Sequence, residues 1–136
     1  MKAFRELVEG QIATGEMHGV EELLAEDVVF RSPVAFKPYL GKAITAAILN
    51  GVSRVFSDFR YVNEIEDGRH SALIFETKVG DTSVHGCDFI TTDENGLITE
   101  FTVMVRPLSA ANALAEAMAA QFERIQAEAV AMETAR

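Results

Sequence analysis

Four successive segments in the second half of the chain have the composition of β-strands and are joined by very short connections. The segments are 59–65, 71–79, 83–92 and 97–106. Asp67-Gly68, Gly80-Asp81 and Asn95-Gly96 lie between them, and Asn-Gly is a strong signal for a tight hairpin turn. Strands joined so closely pair antiparallel, because a parallel pair needs a crossover of about a dozen residues. This half of the chain therefore predicts an antiparallel sheet.

The remaining segments show helical spacing of apolar residues, with one short strand among them. Helices are predicted at 2–14, 19–25, 42–56 and about 107–130, and a strand at 27–31 with a loop at 34–41 after it. Pro107 suits the first turn of the last helix. The element order predicts a single α+β domain over residues 1–136, with helices packed on one face of a curved sheet.

Charge limits the partners that such a domain can have. The 136 residues include 21 acidic and 12 basic side chains, for a formal net charge of −9. This charge opposes binding to a nucleic-acid backbone or to an anionic membrane surface, so we expect neither partner. No apolar run reaches the ~20 residues of a membrane span, and the N-terminal segment lacks the apolar stretch of a signal peptide. These features predict a cytoplasmic protein.

The residues that bind metals and phosphates form no recognisable motif. Cys87 is the only cysteine, and no set of Cys and His has the spacing of a zinc site. His85 and Cys87 would share a strand face opposite Asp88, but two ligands are too few for a metal site. There is no glycine-rich phosphate loop either. We therefore expect neither a metal nor a cofactor.

The central predicted strands are apolar on both faces. One face has to cover the helices, whereas the other face of an antiparallel sheet is normally polar. The second apolar face, interpreted as Leu73, Phe75, Cys87 and Phe89, predicts that the protein forms a homodimer through its sheet.

Several local sequences, in their order, resemble the nuclear transport factor 2-like superfamily over residues 3–120. This superfamily includes ketosteroid isomerases, SnoaL-like polyketide cyclases and limonene epoxide hydrolases. The resemblance implies a cone-shaped antiparallel sheet, the cystatin-like α+β roll, with helices on its concave face. The end of the last strand is similar to a largely uncharacterised SnoaL-like branch. The matching pieces are Gly15-Glu16, Leu24 to Phe30, Ser32-Pro33, Gly41 to Ile44, Gly86 to Asp88, Asp93 to Ile98 and Val103 to Leu108.

Asp88 is the residue that this resemblance marks as catalytic. It lies five residues before the turn that starts at Asp93, and ketosteroid isomerases carry the aspartic acid of their oxyanion hole at this offset. In such enzymes an apolar site keeps the carboxyl protonated, so that it donates a hydrogen bond to a developing enolate. In the alternative interpretation Asp88 is a carboxylate that is solvated or paired with Arg106 or Lys78.

Two other ketosteroid isomerase positions differ in this chain. The general base of those enzymes is an Asp before Pro at the end of the first strand, where this chain has Ser32 before Pro33. Their oxyanion-hole Tyr lies on the first helix, but the matching segment here, Leu7 to Glu9, has none. Serine without an activating base does not remove a proton from carbon at neutral pH, so we expect no ketosteroid isomerase activity.

The limonene epoxide hydrolases use an Asp–Arg–Asp set. Asp88, Arg106 and Glu76 could imitate it only if Glu76 faces inward, and a surface salt bridge of Glu76 is the alternative. Tyr39, in the predicted loop, could reach over the mouth of the pocket as a hydrogen-bond donor. The full set of predicted pocket residues is Phe30, Ser32, Tyr39, Ile48, Glu76, Ile90, Phe101, Val103 and Val105.

Two functional hypotheses follow. The first is a SnoaL-like protein that binds a small apolar molecule in the cone, as a cofactor-independent isomerase, cyclase or hydrolase. The second is a non-catalytic dimeric binding or interaction module that works through its sheet face. They are distinguished by the cone interior, which is either a cavity reached by Asp88 or is filled by Phe30, Phe101 and Met104.

Overall fold

One curved six-stranded sheet and the helices on its concave face make up residues 1–135, the part of the chain that the computed structural model describes. The strands are β1 Leu24–Arg31, β2 Tyr39–Leu40, β3 Ser57–Asp67, β4 His70–Val79, β5 Thr82–Thr92 and β6 Ile98–Arg106. The α-helices of this part are α1 Lys2–Gln11, α2 Lys42–Val55 and α3 Leu108–Thr134, with short 3₁₀ turns at Ile12–Thr14 and Val20–Leu23. The predicted α+β class and cone-shaped fold are confirmed.

The strand order in the sheet is β2-β1-β6-β5-β4-β3. Strands β3 to β6 form the predicted antiparallel hairpins. One pairing that was not predicted departs from this pattern, because β1 lies parallel to β6, with Phe30 beside Phe101. No tight turn joins these two strands, so the rule that makes close neighbours antiparallel does not apply to them.

Element boundaries differ from the predictions at three places. Residues 19–25 form only the turn Val20–Leu23, because β1 already begins at Leu24, which pairs with Ile98. The predicted loop 34–41 contains the short strand β2, which is paired with β1. The last helix continues to Thr134, beyond the predicted end near 130.

The two faces of the sheet carry different residues from those predicted. Leu73 and Phe75 are 0% and 1% exposed and point into the core, whereas Cys87 and Phe89 point to the outer face. The predicted patch of these four residues is therefore wrong. The register places Ile74 beside Cys87, and both faces of β4 are apolar, so the sequence pattern alone did not identify the inner face.

The outer face still has an apolar band across its middle. Met104, which the alternative of a filled cone placed in the interior, is 58% exposed here beside Cys87. Phe89 is 43% exposed and Ile65 is 58% exposed. Among residues 1–135 no helix is both long and apolar enough to cross a membrane.

Helix α3 packs along α2 and closes the side of the cone. A methyl group added at Gly51 would lie 2.7 Å from Cδ1 of Ile125, so the helices approach closely only because residue 51 has no side chain. Near the same contact, Nη2 of Arg54 lies 2.7 Å from a Glu128 carboxylate oxygen. Helix α3 therefore has a defined position over the open side of the sheet.

Candidate functional site

A cavity lies in the cone between the inner face of the sheet and the helices. The cavity has a volume of about 50 Å³ and opens to solvent, and its wall is mainly apolar. Strands supply aromatic rings, α2 supplies aliphatic side chains, and α3 supplies Leu114 and Met118. Representative wall residues are Phe30, Phe75, Phe101, Ile48, Val52 and Met118. The cone interior is thus largely filled by side chains and keeps a small cavity that its aromatic residues line.

Asp88 is the only carboxyl group among the described residues of this wall. It points inward from β5 and is 7% exposed. The hydroxyl of Tyr61, on β3, donates a hydrogen bond to Oδ2 of Asp88 at 3.0 Å. Together the two side chains form a polar corner in an otherwise apolar cavity.

Burial governs the proton affinity of this polar corner. It raises the pKa of Asp88 to about 7, because an apolar surrounding disfavours the carboxylate, and the hydrogen bond from Tyr61 partly opposes this rise. The pKa of Tyr61 lies well above its ordinary value, first because of burial and then because of the charge on Asp88. Asp88 therefore titrates near neutral pH and not in the acidic range of an ordinary carboxyl group.

The ion-pair alternative for Asp88 does not agree with the structure. Arg106 and Lys78 project from the outer face, where Arg106 lies opposite His85. Asp88 is directly opposite Leu73 and Val103, so both of its cross-strand neighbours are apolar. Tyr61 takes the place that the predicted cation would have had.

Apart from Glu76, the other predicted pocket residues lie at the cavity, at a second cleft beside it, or in the core. Phe30, Ser32, Ile48, Phe101 and Val103 line the cavity, and Tyr39 lines a second cleft beside it. Ile90 and Val105 lie on the inner side of the sheet but are packed into the core below the cavity wall.

The prediction that Glu76 lines the pocket is wrong. Glu76 lies on the outer face, where Nη2 of Arg60 is 3.2 Å from its Oε1. Glu76 and Arg106 border a polar cleft on that face, separated from Asp88 by the sheet. Asp88, Arg106 and Glu76 therefore do not form the set that epoxide hydrolysis would need, because alternate residues of a strand point to opposite faces of the sheet.

Tyr61 is the site residue that the sequence analysis missed. The chain has only two tyrosines, and a tyrosine buried within a strand needs a partner for its hydroxyl group. Placing Phe59 and Tyr61 on the inner face would have suggested a polar partner such as Asp88. A bulge in β3 between Tyr61 and Asn63 hides this alternation in the sequence.

Arg5 supports Tyr61 from the other side of its ring. The guanidinium carbon lies 5.6 Å from the centroid of the Tyr61 ring, and Nη1 donates to Glu64 at 3.0 Å. Nε of Arg5 also donates to Glu9 at 3.3 Å. This cation slightly favours the ionised phenol and so offsets a small part of the pKa rise of Tyr61.

A second cleft opens beside the cavity and shares its wall. It has a volume of about 360 Å³ and lies between the segment after β1 and helix α3. Ser32, Val34, Ile48 and Met118 border both spaces. We call the first space the inner cavity and the second the outer cleft. The remaining wall of the outer cleft is Ala35, Tyr39, Ala115, Ala119, Phe122 and Ile125.

Metal-ligating side chains do not converge in the described chain. Within residues 1–135, no three His, Cys, Asp or Glu side chains lie close enough to hold a metal ion. The chemistry that the inner cavity offers comes from one carboxyl group, one phenol and the hydroxyl group of Ser32.

Known proteins give the fold and the family. Comparison with curated proteins finds no match. A steroid delta-isomerase from Pseudomonas aeruginosa is 41% identical, with 93% of each chain covered and a TM-score of 0.84. An uncharacterised bacterial protein with a cystatin-like fold, from Silicibacter pomeroyi, is 36% identical, with 90% of this chain and 92% of that chain covered and a TM-score of 0.79.

A more distant likeness shows the fold alone. A de novo designed protein with a curved β-sheet is 15% identical, covers 83% of this chain and 93% of its own, and has a TM-score of 0.64. The model of the SnoaL-like domain matches residues 4–101, most of the cone. The chain therefore belongs to the SnoaL-like domain family.

Proposed function

We propose that the inner cavity binds a small apolar molecule with a carbonyl or phenol oxygen, and that Asp88, positioned by the hydrogen bond from Tyr61, holds this oxygen by a hydrogen bond. The observation that carries the proposal is the single polar corner of an apolar cavity. A ligand with one oxygen and a hydrocarbon body matches that distribution of polarity. The steroid delta-isomerase from Pseudomonas aeruginosa, at 41% identity, supports a ligand of this class.

The protonation state of Asp88 decides what the corner does. With its pKa at about 7, Asp88 carries a proton in a large fraction of molecules at neutral pH. The protonated carboxyl donates one hydrogen bond to the ligand oxygen, while Tyr61 donates to the other carboxyl oxygen. In a cavity with few polar groups such a donor stabilises negative charge on the ligand oxygen more strongly than water does.

Ser32 limits the reaction that can follow. It borders the inner cavity where the family's isomerases carry their base, and no other carboxylate in the described wall takes that role. The corner can therefore polarise a ketone, but no second group accepts a proton from carbon. We expect cyclohex-3-enone to isomerise no faster with the protein than in buffer.

A fluorescence titration with 2-naphthol tests the binding proposal. We expect saturable binding, which weakens at least tenfold in D88L because the donor is lost. D81N is the matched control, since Asp81 is an exposed carboxylate in the turn between β4 and β5, and it should bind normally. Equal binding by the wild type and D88L would refute the role of Asp88, and rapid turnover of cyclohex-3-enone would refute the role of Ser32.

The outer face favours a second candidate function, a homodimer through the sheet. Its apolar band, formed by Ile65, Ile74, Cys87, Phe89 and Met104, lies across the middle strands. A second copy of the chain would cover such a band, and this role does not exclude ligand binding in the cone. Sedimentation velocity at micromolar concentration should show a dimer that becomes a monomer in F89D. A soluble wild-type monomer would contradict this proposal.

A further inference from the structure

The outer cleft lies directly beside the inner cavity and has no charged group in its described wall. Ser32, Val34, Ile48 and Met118 form the wall that the two spaces share. The polar groups of the outer cleft are the hydroxyl groups of Ser32 and Tyr39. A molecule that binds at Asp88 and extends past this shared wall would therefore contact mainly apolar side chains in the outer cleft.

Small side chains on helix α3 leave the space of the outer cleft open. Ala115 and Ala119 lie one helical turn apart and face the cleft, and Phe122 and Ile125 continue the same wall. Larger side chains at 115 and 119 would fill the space between α3 and the segment after β1. The tight contact of Gly51 with Ile125 holds α3 in place, so the cleft does not depend on a loosely packed helix.

Apolar side chains continue from the cleft to the surface. Phe36, next to the wall residue Ala35, is fully exposed, and Phe122 and Val34 are also exposed in the wall itself. A hydrocarbon in the outer cleft would cover exposed aromatic and aliphatic groups, and removing this apolar surface from water favours binding. A ligand that is confined to the inner cavity leaves these groups exposed and does not gain this free energy.

We propose that the ligand is elongated, with its oxygen-bearing head in the inner cavity and an uncharged hydrocarbon tail in the outer cleft against Ala115, Ala119 and Phe122. This inference rests on the proposed function for the position of the head. It adds the class of the ligand, which is an amphiphile larger than the inner cavity.

Two probes with the same head separate the parts of the proposal. 2-Naphthol supplies the phenol alone, and 6-hexyl-2-naphthol adds a hydrocarbon tail at the far end of the ring. The wild type should bind the hexyl compound at least tenfold more tightly, because the tail removes apolar surface from water. If 2-naphthol itself does not bind, the proposed function fails; if both compounds bind equally, only the tail site fails.

Variants of α3 locate the tail. A119F fills the outer cleft and should remove the advantage of the hexyl compound while changing 2-naphthol binding by less than about twofold. A120F places the same ring at the next exposed position of the helix, outside the described wall, and should leave both affinities unchanged. F122S should also weaken the hexyl compound selectively. An unchanged hexyl advantage in both A119F and F122S would overturn the proposal.

Discussion

At the scale of single residues, the hydrogen bond from Tyr61 to Asp88 lowers the proton affinity of a carboxyl group that burial has raised. Y61F removes the donor and leaves burial unopposed, so the pKa of Asp88 should rise above its wild-type value of about 7. The pH dependence of 2-naphthol binding should move to higher pH accordingly. A shift to lower pH would mean that the phenol does not donate to this carboxylate.

Asp88 also links stability to pH. Its pKa is raised from 3.8 to about 7 in the folded protein, so the native state binds this proton more tightly than the unfolded chain does. The resulting stabilisation is complete below pH ~4 and disappears as the pH rises through ~7, with an upper magnitude of about 4 kcal/mol.

D88N lacks this titration while keeping the shape of the side chain. The free energy of unfolding in urea, measured for both proteins between pH ~5 and ~8, should therefore fall with increasing pH in the wild type relative to the variant. A difference that stays constant over this range would indicate that the pKa of Asp88 is ordinary or lowered, as in an ion-paired carboxylate.

The sequence identified one member of this pair and not the other. Asp88 was marked by the resemblance to ketosteroid isomerases, which carry an aspartic acid at the same offset before the turn. Tyr61 was not identified, because its role depends on the register between β3, β4 and β5, which a list of strands does not contain. Glu76 was misplaced for the same reason, since inward and outward residues of β4 are equally apolar over much of its length.

At the scale of elements, Gly86 allows β4 and β5 to pack the core. Phe75 lies directly opposite Gly86, and a methyl group there would be 2.3 Å from Cζ of the Phe75 ring. G86A should destabilise the protein by about 3 kcal/mol, because the added methyl group would force the buried Phe75 ring out of its packed position.

Gly10 provides the matched control for this substitution. It lies in α1, and a methyl group there would meet nothing within 4 Å. G10A should be neutral or stabilise the protein by up to ~1 kcal/mol through helix propensity. Thermal melts compare the two variants, and equal melting temperatures would show that Phe75 is not held against Gly86.

Local elements were predictable where local signals define them. The turns between β3, β4, β5 and β6 are marked by glycine and asparagine, and the hairpins followed from them. The parallel pairing of β1 with β6 was not predicted, because it joins segments about seventy residues apart and leaves no short-range pattern. The contact of α3 with α2 was not predicted either, because it depends on a single residue, Gly51.

At the scale of the whole molecule, the outer face has ends of opposite charge. Arg60, Glu76, His85 and Arg106 form one row across β3 to β6, with a formal charge of +1 when His85 is neutral. The opposite end is the row Asp67, His70, Thr91 and Glu100, with two carboxylates and a formal charge of −2. The apolar band lies between these rows.

This polarity selects one arrangement of the proposed dimer. A two-fold axis across the strands sets the basic row over the acidic row of the second copy, so that Arg106 lies over the partner's Glu100. An axis along the strands would set like charges together, which costs free energy. Arg31 lies 3.8 Å from Glu100 within the same chain. It offsets one of the two carboxylates of the acidic row, so this end of the outer face keeps a net negative charge.

R106E should weaken the dimer about tenfold, and the double variant R106E/E100R should restore it, as measured by sedimentation equilibrium. K37E changes a charge of equal sign in the exposed loop after Phe36 and serves as the control. A dimer that becomes tighter in R106E would indicate the other axis.

The parallel pairing of β1 with β6 also sets when the binding site can form during synthesis. Phe30 and Phe101 are neighbours in the finished sheet, but at typical rates of translation the second is made about 4–14 s after the first. Until β6 emerges, β1 has no strand on that side, and the cone has no closed wall. Nascent chains arrested before Ile98 should therefore be cleaved by protease within β1, whereas chains released after α3 should resist cleavage. The cavity is completed only after β6 has left the ribosome.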